Sequence, residues 1–299
     1  MLTRELMSRL RRIEIKTSRL ANREMAGAYR SVFKGHGMSF EEVRPYQQGD
    51  DVRVIDWNVS ARTGDLFVKV FVEERELTVF LLLDMSLSAD FGTRGRTRRD
   101  LVAEVAAVHA FSAIRNNDRV GLIIFTDRVE HFVPPKKGKT HVLRVIRDIL
   151  EFKPGRTPTG ASGIPAALGL LSKVTKKTSV AFLVSDFFVS QAEQEELRKT
   201  LSIASRRHDL VAFVTRDPAD EVLPDTGLTT FRDLETGRYR LVDTHSAVVR
   251  SRFSRQAVAD RARVESLLKR LSIDYAVLWT HKDYIPECNR LYLKRARRH

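Results

Sequence analysis

An uninterrupted apolar run at residues 79–83, Val-Phe-Leu-Leu-Leu, constrains the fold more than any other stretch of the chain. A run of this kind bounded by polar residues is typical of a strand buried on both faces, as the strands of parallel sheets are. Further strand-like runs follow at residues 119–125, 179–184, 209–215 and 274–279, and segments with helical spacing of apolar residues separate them. This alternation predicts an α/β fold, with a mostly parallel sheet and helices on both of its faces.

The first 78 residues follow a different pattern. Apolar residues at helical spacing predict an N-terminal helix over residues 1–30. Short β-like pieces with many charges predict a β-rich extension over residues 31–78, so that the α/β domain takes residues 79–299. Within the extension, residues 49–57 interleave charged and apolar side chains. We interpret this block as an ion-pair network that pins the extension to the main sheet, with Trp57 as a core anchor; the alternative is a partner-binding face.

The composition of the chain indicates which kinds of partner it could bind and in which cellular compartment it is expected. The formal net charge of +14 favours acidic partners, nucleic acid or an anionic membrane face. The basic clusters of the first segment and of residues 294–298 are expected to be solvated helix faces. Tyr292 is the single aromatic residue near either cluster, so neither resembles a platform on which nucleic-acid bases stack. No apolar stretch approaches the roughly 20 residues that cross a bilayer, and residues 1–6 lack the apolar core of a signal peptide.

The single cysteine, Cys288, allows no internal disulfide, so we expect a cytoplasmic protein in which this thiol is partly buried and inert.

Oxygen-bearing side chains leave the first predicted strand at regular intervals. Asp84, Ser86 and Ser88 stand at positions i, i+2 and i+4 directly after the apolar run. Open α/β sheets bind ligands at the carboxyl ends of their strands. One carboxylate and two hydroxyls there suit a hard divalent cation such as Mg²⁺. The competing interpretation is that these side chains cap the following turn or helix.

Together with two later segments, this motif resembles the metal-ion-dependent adhesion site of von Willebrand factor A domains. The Asp-x-Ser-x-Ser loop at residues 84–88 matches the first loop of that site, and Asp186, after the strand-like run 181–184, matches its later aspartate. The family expects one further ligand from a third loop, here residues 155–163, where Thr157, Thr159 and Ser162 all remain open. The resemblance implies one bound ion, Mg²⁺ or else Mn²⁺ or Ca²⁺, with an open position for an acidic residue of a protein partner.

The stretch upstream of the apolar run narrows the resemblance further. Residues 42–46, 49–57 and 60–62 resemble the block that precedes an A-type domain in the bacterial "domain of unknown function 58" family, as do Ser-Asp-Phe at 185–187 and Arg-Asp-Pro at 216–218. Members of that family often accompany MoxR-type AAA+ ATPases, which makes such an ATPase the implied partner.

We therefore expect a non-enzymatic adaptor that binds protein partners through a cation. Two other functions stay open: a basic protein that binds nucleic acid or an anionic membrane, and a metal-dependent hydrolase that uses the same ion. The sequence contains no Gly-x-x-x-x-Gly-Lys-Ser/Thr phosphate-binding loop and no His-Glu-x-x-His zinc motif. His109 falls within an apolar helical segment and is expected to be a core residue and not a base.

Overall fold

The computed structural model describes residues 11–14, 17, 29, 32–33, 39–72, 76–154, 162–232 and 237–298. The predicted N-terminal helix over residues 1–30 therefore lies mostly outside the described residues. The strands and helices are, in chain order, β1 Ser39–Pro45, α1 Trp57–Thr63, β2 Phe67–Val72, β3 Thr78–Asp84, α2 Arg98–Arg115, β4 Arg119–Phe125, β5 Val129–Lys136, α3 Lys139–Glu151, α4 Ile164–Val174, β6 Val180–Ser185, α5 Gln194–Arg207, β7 Asp209–Arg216, β8 Leu228–Arg232, β9 Tyr239–Asp243, α6 Ala247–Arg270, β10 Asp274–Trp279 and α7 Ile285–Ala296.

A six-stranded sheet forms the centre of the molecule, in the order β10-β7-β6-β3-β4-β5. Every neighbouring pair is parallel except β4 and β5, which are antiparallel. The prediction of an α/β fold with a mostly parallel sheet is confirmed, and the arrangement is Rossmann-like. The strand order reverses between β3 and β6, and the carboxyl ends of strands at such a switch point flank the crevice in which open α/β sheets bind ligands.

The apolar run in β3 is continuous because both of its faces are covered. Val79, Leu81 and Leu83 pack into a core on the side of α2, α3 and α7. The intervening Phe80 and Leu82 pack into a second core on the side of α4 and α5. Since side chains alternate between the two faces of a strand, a five-residue apolar run is what a doubly covered central strand requires.

The described part of the N-terminal segment belongs to the first of these cores. Tyr29, Val32 and Phe33 are all at most 5% exposed. The Phe33 ring lies 5.6 Å from the rings of both Phe182 and Tyr292, edge-on to each. This segment therefore contributes large aromatic side chains to the core of the α/β domain, a role that helical spacing alone did not indicate.

The extension is a small antiparallel pair, β1 and β2, with the short helix α1 between them in sequence. The expectation that Trp57 is a core anchor is wrong, since its side chain is 66% exposed at the first position of α1. The Asp56 carboxylate caps this helix by accepting from the backbone N–H groups of Asn58 and Val59, which fixes Trp57 on the outer surface.

Among the described residues, the ion pairs made by residues 49–57 stay within the extension. The Arg44 guanidinium donates twice to the Asp50 carboxylate, at 2.7 Å each, and Lys69 lies 3.7 Å from Asp56. These contacts fasten β1, β2 and their connection to one another. They do not pin the extension to the main sheet, as the sequence had suggested.

The C-terminal basic run is only partly a solvated face. The side chain of Arg295 is buried, with its guanidinium 2.6 Å from the Asp209 carboxylate and 3.5 Å from that of Asp274. Arg298 also reaches Asp274, at 2.9 Å. These arginines tie α7 to the amino ends of β7 and β10, so the expectation of a solvated face is wrong for Arg295. Within the described residues, no helix is both long and apolar enough to span a bilayer.

Candidate metal centre

The candidate site lies where the strand order of the sheet reverses. Asp84 is the last residue of β3, Ser185 is the last residue of β6, and Asp186 follows it directly. β3 and β6 are hydrogen-bonded neighbours that run parallel, so their carboxyl ends meet at one edge. Two carboxylates that are about a hundred residues apart in sequence are therefore close together in space.

A chain of hydrogen bonds links the predicted residues. The Ser88 hydroxyl donates to Oδ2 of Asp186 at 3.0 Å, and the hydroxyls of Ser86 and Ser88 are 2.9 Å apart. The backbone N–H of Ser86 donates to Oδ1 of Asp84 at 3.1 Å, and the Ser185 hydroxyl donates to its Oδ2 at 2.7 Å. Asp84, Ser86, Ser88 and Asp186 thus form one hydrogen-bonded cluster.

A small cavity of about 10 Å³ lies among these side chains. That volume holds roughly one water-sized particle. Its polar wall consists of Asp84, Ser86, Ser88 and Asp186, together with Thr215 from the end of β7 and the guanidinium of Arg98. Carboxylate and hydroxyl oxygens are the donors that Mg²⁺ prefers, so the donor set and the size of the space both suit a small hard cation.

The electrostatics of the cavity favour a positive guest. Burial, and secondly the nearby Asp186 carboxylate, raise the pKa of Asp84 to about 7, although hydrogen bonds from Ser185 and Ser86 oppose the shift. A carboxyl group with that pKa is ionised only in part at neutral pH, because burial disfavours its charged form and the Asp186 carboxylate repels it. A cation between the two carboxylates would remove this repulsion, and a proton on Asp84 is its direct competitor.

The turn after β6 orients Asp186. Phe187 has a φ of 54°, in the left-handed region that bulky residues rarely adopt. Its backbone N–H donates to the Ser185 hydroxyl at 3.0 Å, and the N–H of Phe188 donates to Oδ1 of Asp186 at 3.1 Å. These bonds hold both Ser185 and Asp186 in position beside the cavity.

Two buried arginines hold the loops that carry the site. The sequence indicated no role for Arg98, and Arg216 was named only within the Arg-Asp-Pro segment that resembles the family. Arg98, 4% exposed, donates to the backbone oxygen of Ser88 at 3.0 Å and pairs with Asp220. Arg216, 2% exposed, donates to the backbone oxygen of Asp186. The ring of Phe188 lies over both guanidiniums, at 5.9 Å and 4.8 Å. The wall position of Thr215 was also missed, although a hydroxyl at the end of a predicted strand is a usable signal.

The third loop is described only at its end. Thr157 and Thr159 lie outside the described residues, and Ser162 is not among the residues that line the cavity. The backbone N–H of Ser162 donates to Glu193 at 2.8 Å. A Cβ on the following residue, Gly163, would lie 2.1 Å from the backbone oxygen of Thr126, so only glycine fits there. The choice among the three residues stays a prediction.

Histidine and cysteine side chains provide no alternative metal site in the described residues. Across the described ranges, no group of three or more histidine, cysteine, aspartate or glutamate side chains could hold a metal ion. His109 is fully buried beside Phe182 and Phe213, which confirms the expectation of a core residue. Cys288 is fully buried, and burial raises the pKa of its thiol well above the usual range, so it is not an activated nucleophile.

Comparison with models of known protein families identifies the family of this chain. The model of the family described as "Protein of unknown function DUF58" matches residues 42–263, which is well over half of the sequence. The chain belongs to the DUF58 family. The matched region includes β3, β6 and β7, and hence all the described residues of the candidate site.

Curated relatives support this membership over nearly the full length. The uncharacterized protein Rv1480 of Mycobacterium tuberculosis is 31% identical over 294 residues, which are 98% of this chain and 90% of that protein. The uncharacterized protein YeaD of Bacillus subtilis is 28% identical over 118 residues, which are 40% of this chain and 27% of its own. The names of these relatives assign no activity.

Solved structures offer a weaker likeness. The conserved hypothetical protein BatB from Bacteroides thetaiotaomicron is 13% identical, with a TM-score of 0.48 over 74% of this chain and 99% of that one. An aerotolerance-related membrane protein from Bacteroides fragilis is 12% identical, with a TM-score of 0.43 over 75% of this chain. These values are too low to relate the functions of the proteins.

Proposed function

We propose that this chain is a non-enzymatic interaction module that binds one divalent cation, preferably Mg²⁺. The bound cation would in turn bind a carboxylate of a partner protein. The supporting observation is the convergence of Asp84 and Asp186, with Ser86 and Ser88, on a cavity of about 10 Å³. Mn²⁺ prefers similar ligands, whereas Ca²⁺ takes longer bonds to more oxygens and fits the small space less well.

The residues of the site divide the work between them. Asp84 and Asp186 supply the charge that neutralises the ion, and the serine hydroxyls supply uncharged oxygen ligands. When bound, the cation offers an electrophilic position to an incoming carboxylate. Arg98 and Arg216 hold the backbone oxygens of Ser88 and Asp186, and so keep the loops that carry the ligands in position.

The cavity wall favours binding over hydrolysis. Among the described residues that line it, Asp84 and Asp186 are the only groups able to act as a general base, and both are needed to hold the ion. The rest of the wall is made of the hydroxyl groups of Ser86, Ser88 and Thr215, the side chain of Arg98, and the apolar side chains of Ala89 and Val102. A metal-dependent hydrolase needs a further general base, and the described wall residues supply none beyond the two carboxylates.

We propose a MoxR-type AAA+ ATPase as the partner and the cytoplasm as the setting. The ATPase follows from the family resemblance, which is an argument by analogy. The cytoplasm follows from the single, buried cysteine, since disulfides are rare in a reducing compartment.

Capture of the purified ATPase by the immobilised full chain tests this proposal. We expect capture in Mg²⁺, loss of capture in EDTA, and loss in the Asp186→Ala variant. The matched control is Asp243→Ala, which removes an exposed aspartate from β9 and should capture like the wild type. Equal capture by the wild type and Asp186→Ala would contradict the proposal. Capture that survives EDTA and collapses as salt rises would favour the polyanion-binding alternative.

A further inference from the structure

A second, larger cavity begins at the turn that orients Asp186. It has a volume of about 650 Å³, and its walls are the turn after β6, the end of β7, and the facing sides of α5 and α6. This volume lies within the range of natural ligand sites. The cavity and the candidate metal centre share a border, because Arg216 holds the backbone of Asp186 and also lines the larger space. We call this space the α5–α6 groove.

The groove has an aliphatic floor and a basic wall. Leu197 and Leu267, with Val189 and Val264, supply apolar surface. The charged lining side chains are two acids, Glu195 and Asp260, and four arginines, Arg198, Arg216, Arg263 and Arg270.

Two of the arginines are already paired. Arg198 lies 2.8 Å from Glu195, and Arg263 lies 2.9 Å from Asp260. Arg216 donates to the backbone oxygens of Asp186 and Thr215, and its charge interacts with the nearby carboxylates of Asp186, Asp220 and Glu221. Arg270 is exposed at the end of α6, with no carboxylate partner in the described structure. The groove therefore carries an excess of positive charge over an apolar floor.

From this arrangement we infer that the α5–α6 groove binds an acidic peptide segment of a partner protein, one whose aspartates or glutamates alternate with aliphatic or aromatic side chains. The apolar side chains of the peptide fit the leucine and valine floor, and its acids meet the exposed Arg270. Glutamine side chains at 191, 194 and 256 offer both donors and acceptors to a peptide backbone.

A nucleic acid fits this surface less well. Single strands bind by stacking their bases on exposed aromatic rings. The one exposed aromatic ring in the groove, that of Phe188, has a guanidinium over it at 4.8 Å, and Phe187 is buried. An aliphatic floor offers bases nothing to stack on, whereas it accepts leucine or phenylalanine side chains.

This inference rests on the proposed function in one respect. The peptide segment in the groove would belong to the same partner protein whose carboxylate binds the cation. The groove residues are nevertheless separate from the cation ligands. Variants of Arg270 and of Asp186 can therefore be compared in the same assay, and each tests a different claim.

Selection from a random twelve-residue peptide display library on the full chain in Mg²⁺, followed by fluorescence anisotropy of the enriched peptides, tests the inference. We expect enriched peptides to combine Asp or Glu with Leu, Ile or Phe. Arg270→Glu should weaken their binding at least tenfold both in Mg²⁺ and in EDTA. The matched control Arg252→Glu makes the same charge change at an exposed position of α6 outside the groove, and should change affinity less than twofold.

Three results would overturn the inference: enriched peptides without an excess of acids, equal binding by Arg270→Glu and the wild type, or displacement of the peptide by a single-stranded RNA dodecamer that binds more tightly. Asp186→Ala separates the two claims. If Asp186→Ala binds the peptide with full affinity in Mg²⁺ while Arg270→Glu has lost affinity, the groove inference is supported and the metal-dependent function is contradicted. If the reverse holds, the groove inference fails and the metal site stands.

Discussion

Asp84 and Asp186 bring two carboxylates to one small cavity, where like charges destabilise each other unless a cation or proton intervenes. The Asp84→Asn variant removes one of the charges and keeps the shape. In chelator we expect its free energy of unfolding to stay within about 1 kcal/mol of the wild type, because relief of repulsion offsets the altered hydrogen bonds.

Magnesium should distinguish the same two proteins. At a concentration of 100 times its Kd, the ion should stabilise the wild type by about 2.7 kcal/mol and the Asp84→Asn variant far less. Urea unfolding with and without Mg²⁺ measures both values. An equal gain in the two proteins would show that Asp84 is not a ligand.

His109 gives the core a dependence on pH. Burial lowers its pKa to about 4, and its Nδ1 lies 2.6 Å from the backbone oxygen of Val105. Between pH 6.5 and 4, the His109 side chain binds a proton in the unfolded chain and stays neutral in the folded chain. The stabilisation is therefore complete above pH 6.5 and is lost as the pH falls towards 4.

The His109→Leu variant should lack this loss. From about 1.36 kcal/mol per pKa unit, the wild type should lose up to about 3 kcal/mol more than the variant between pH 6.5 and 4. Urea unfolding across this pH range measures the difference. Parallel curves for the two proteins would show that His109 is accessible to protons in the folded state.

At the scale of elements, the extension presents α1 outward. Trp57→Ala should change the free energy of unfolding by no more than about 0.5 kcal/mol, because the indole is 66% exposed. Asp56→Ala should lower stability more than Trp57→Ala does, since Asp56 caps two N–H groups of α1. Thermal unfolding of the two variants side by side decides the order, and the opposite order would place Trp57 in the core.

Which elements the sequence could predict depends on the range of the interactions that make them. The strands of the main sheet follow from local apolar runs such as 79–83, and their carboxyl ends follow from Asp84 and from Ser185-Asp186. The helix α1 depends on one cap at Asp56, which a charge-rich segment does not make conspicuous. Arg98 and Arg216 are ordinary arginines in sequence, and their burial depends on backbone oxygens of Ser88 and Asp186 that only the folded sheet brings near.

At the scale of the whole molecule, the described residues Tyr29, Val32 and Phe33 join the N-terminal segment to the α/β core. Phe33 is 4% exposed between Phe182 and Tyr292, and the Arg295 guanidinium lies 4.8 Å from its ring centre. Phe33→Ala should therefore cost about 3–5 kcal/mol, as is usual for a buried phenylalanine. Phe231→Ala, at a ring that is 36% exposed on β8, is the control and should cost much less.

Urea unfolding of the Phe33→Ala and Phe231→Ala variants checks this prediction. Equal small losses would mean that the segment around Phe33 docks loosely and that the α/β domain is stable without it. A large loss for Phe33→Ala alone would show that the segment and the domain unfold as one unit.

The central claim is that Asp84 and Asp186, with their neighbouring hydroxyls, hold a divalent cation. Crystals of the full chain soaked in MnCl₂ test it most directly, through the anomalous scattering of manganese. The account predicts a peak in the cavity, within about 2.0–2.3 Å of oxygens from both Asp84 and Asp186, with the Ser88–Asp186 hydrogen bond replaced by bonds to the ion. An empty cavity at millimolar Mn²⁺, with that hydrogen bond intact, would contradict it.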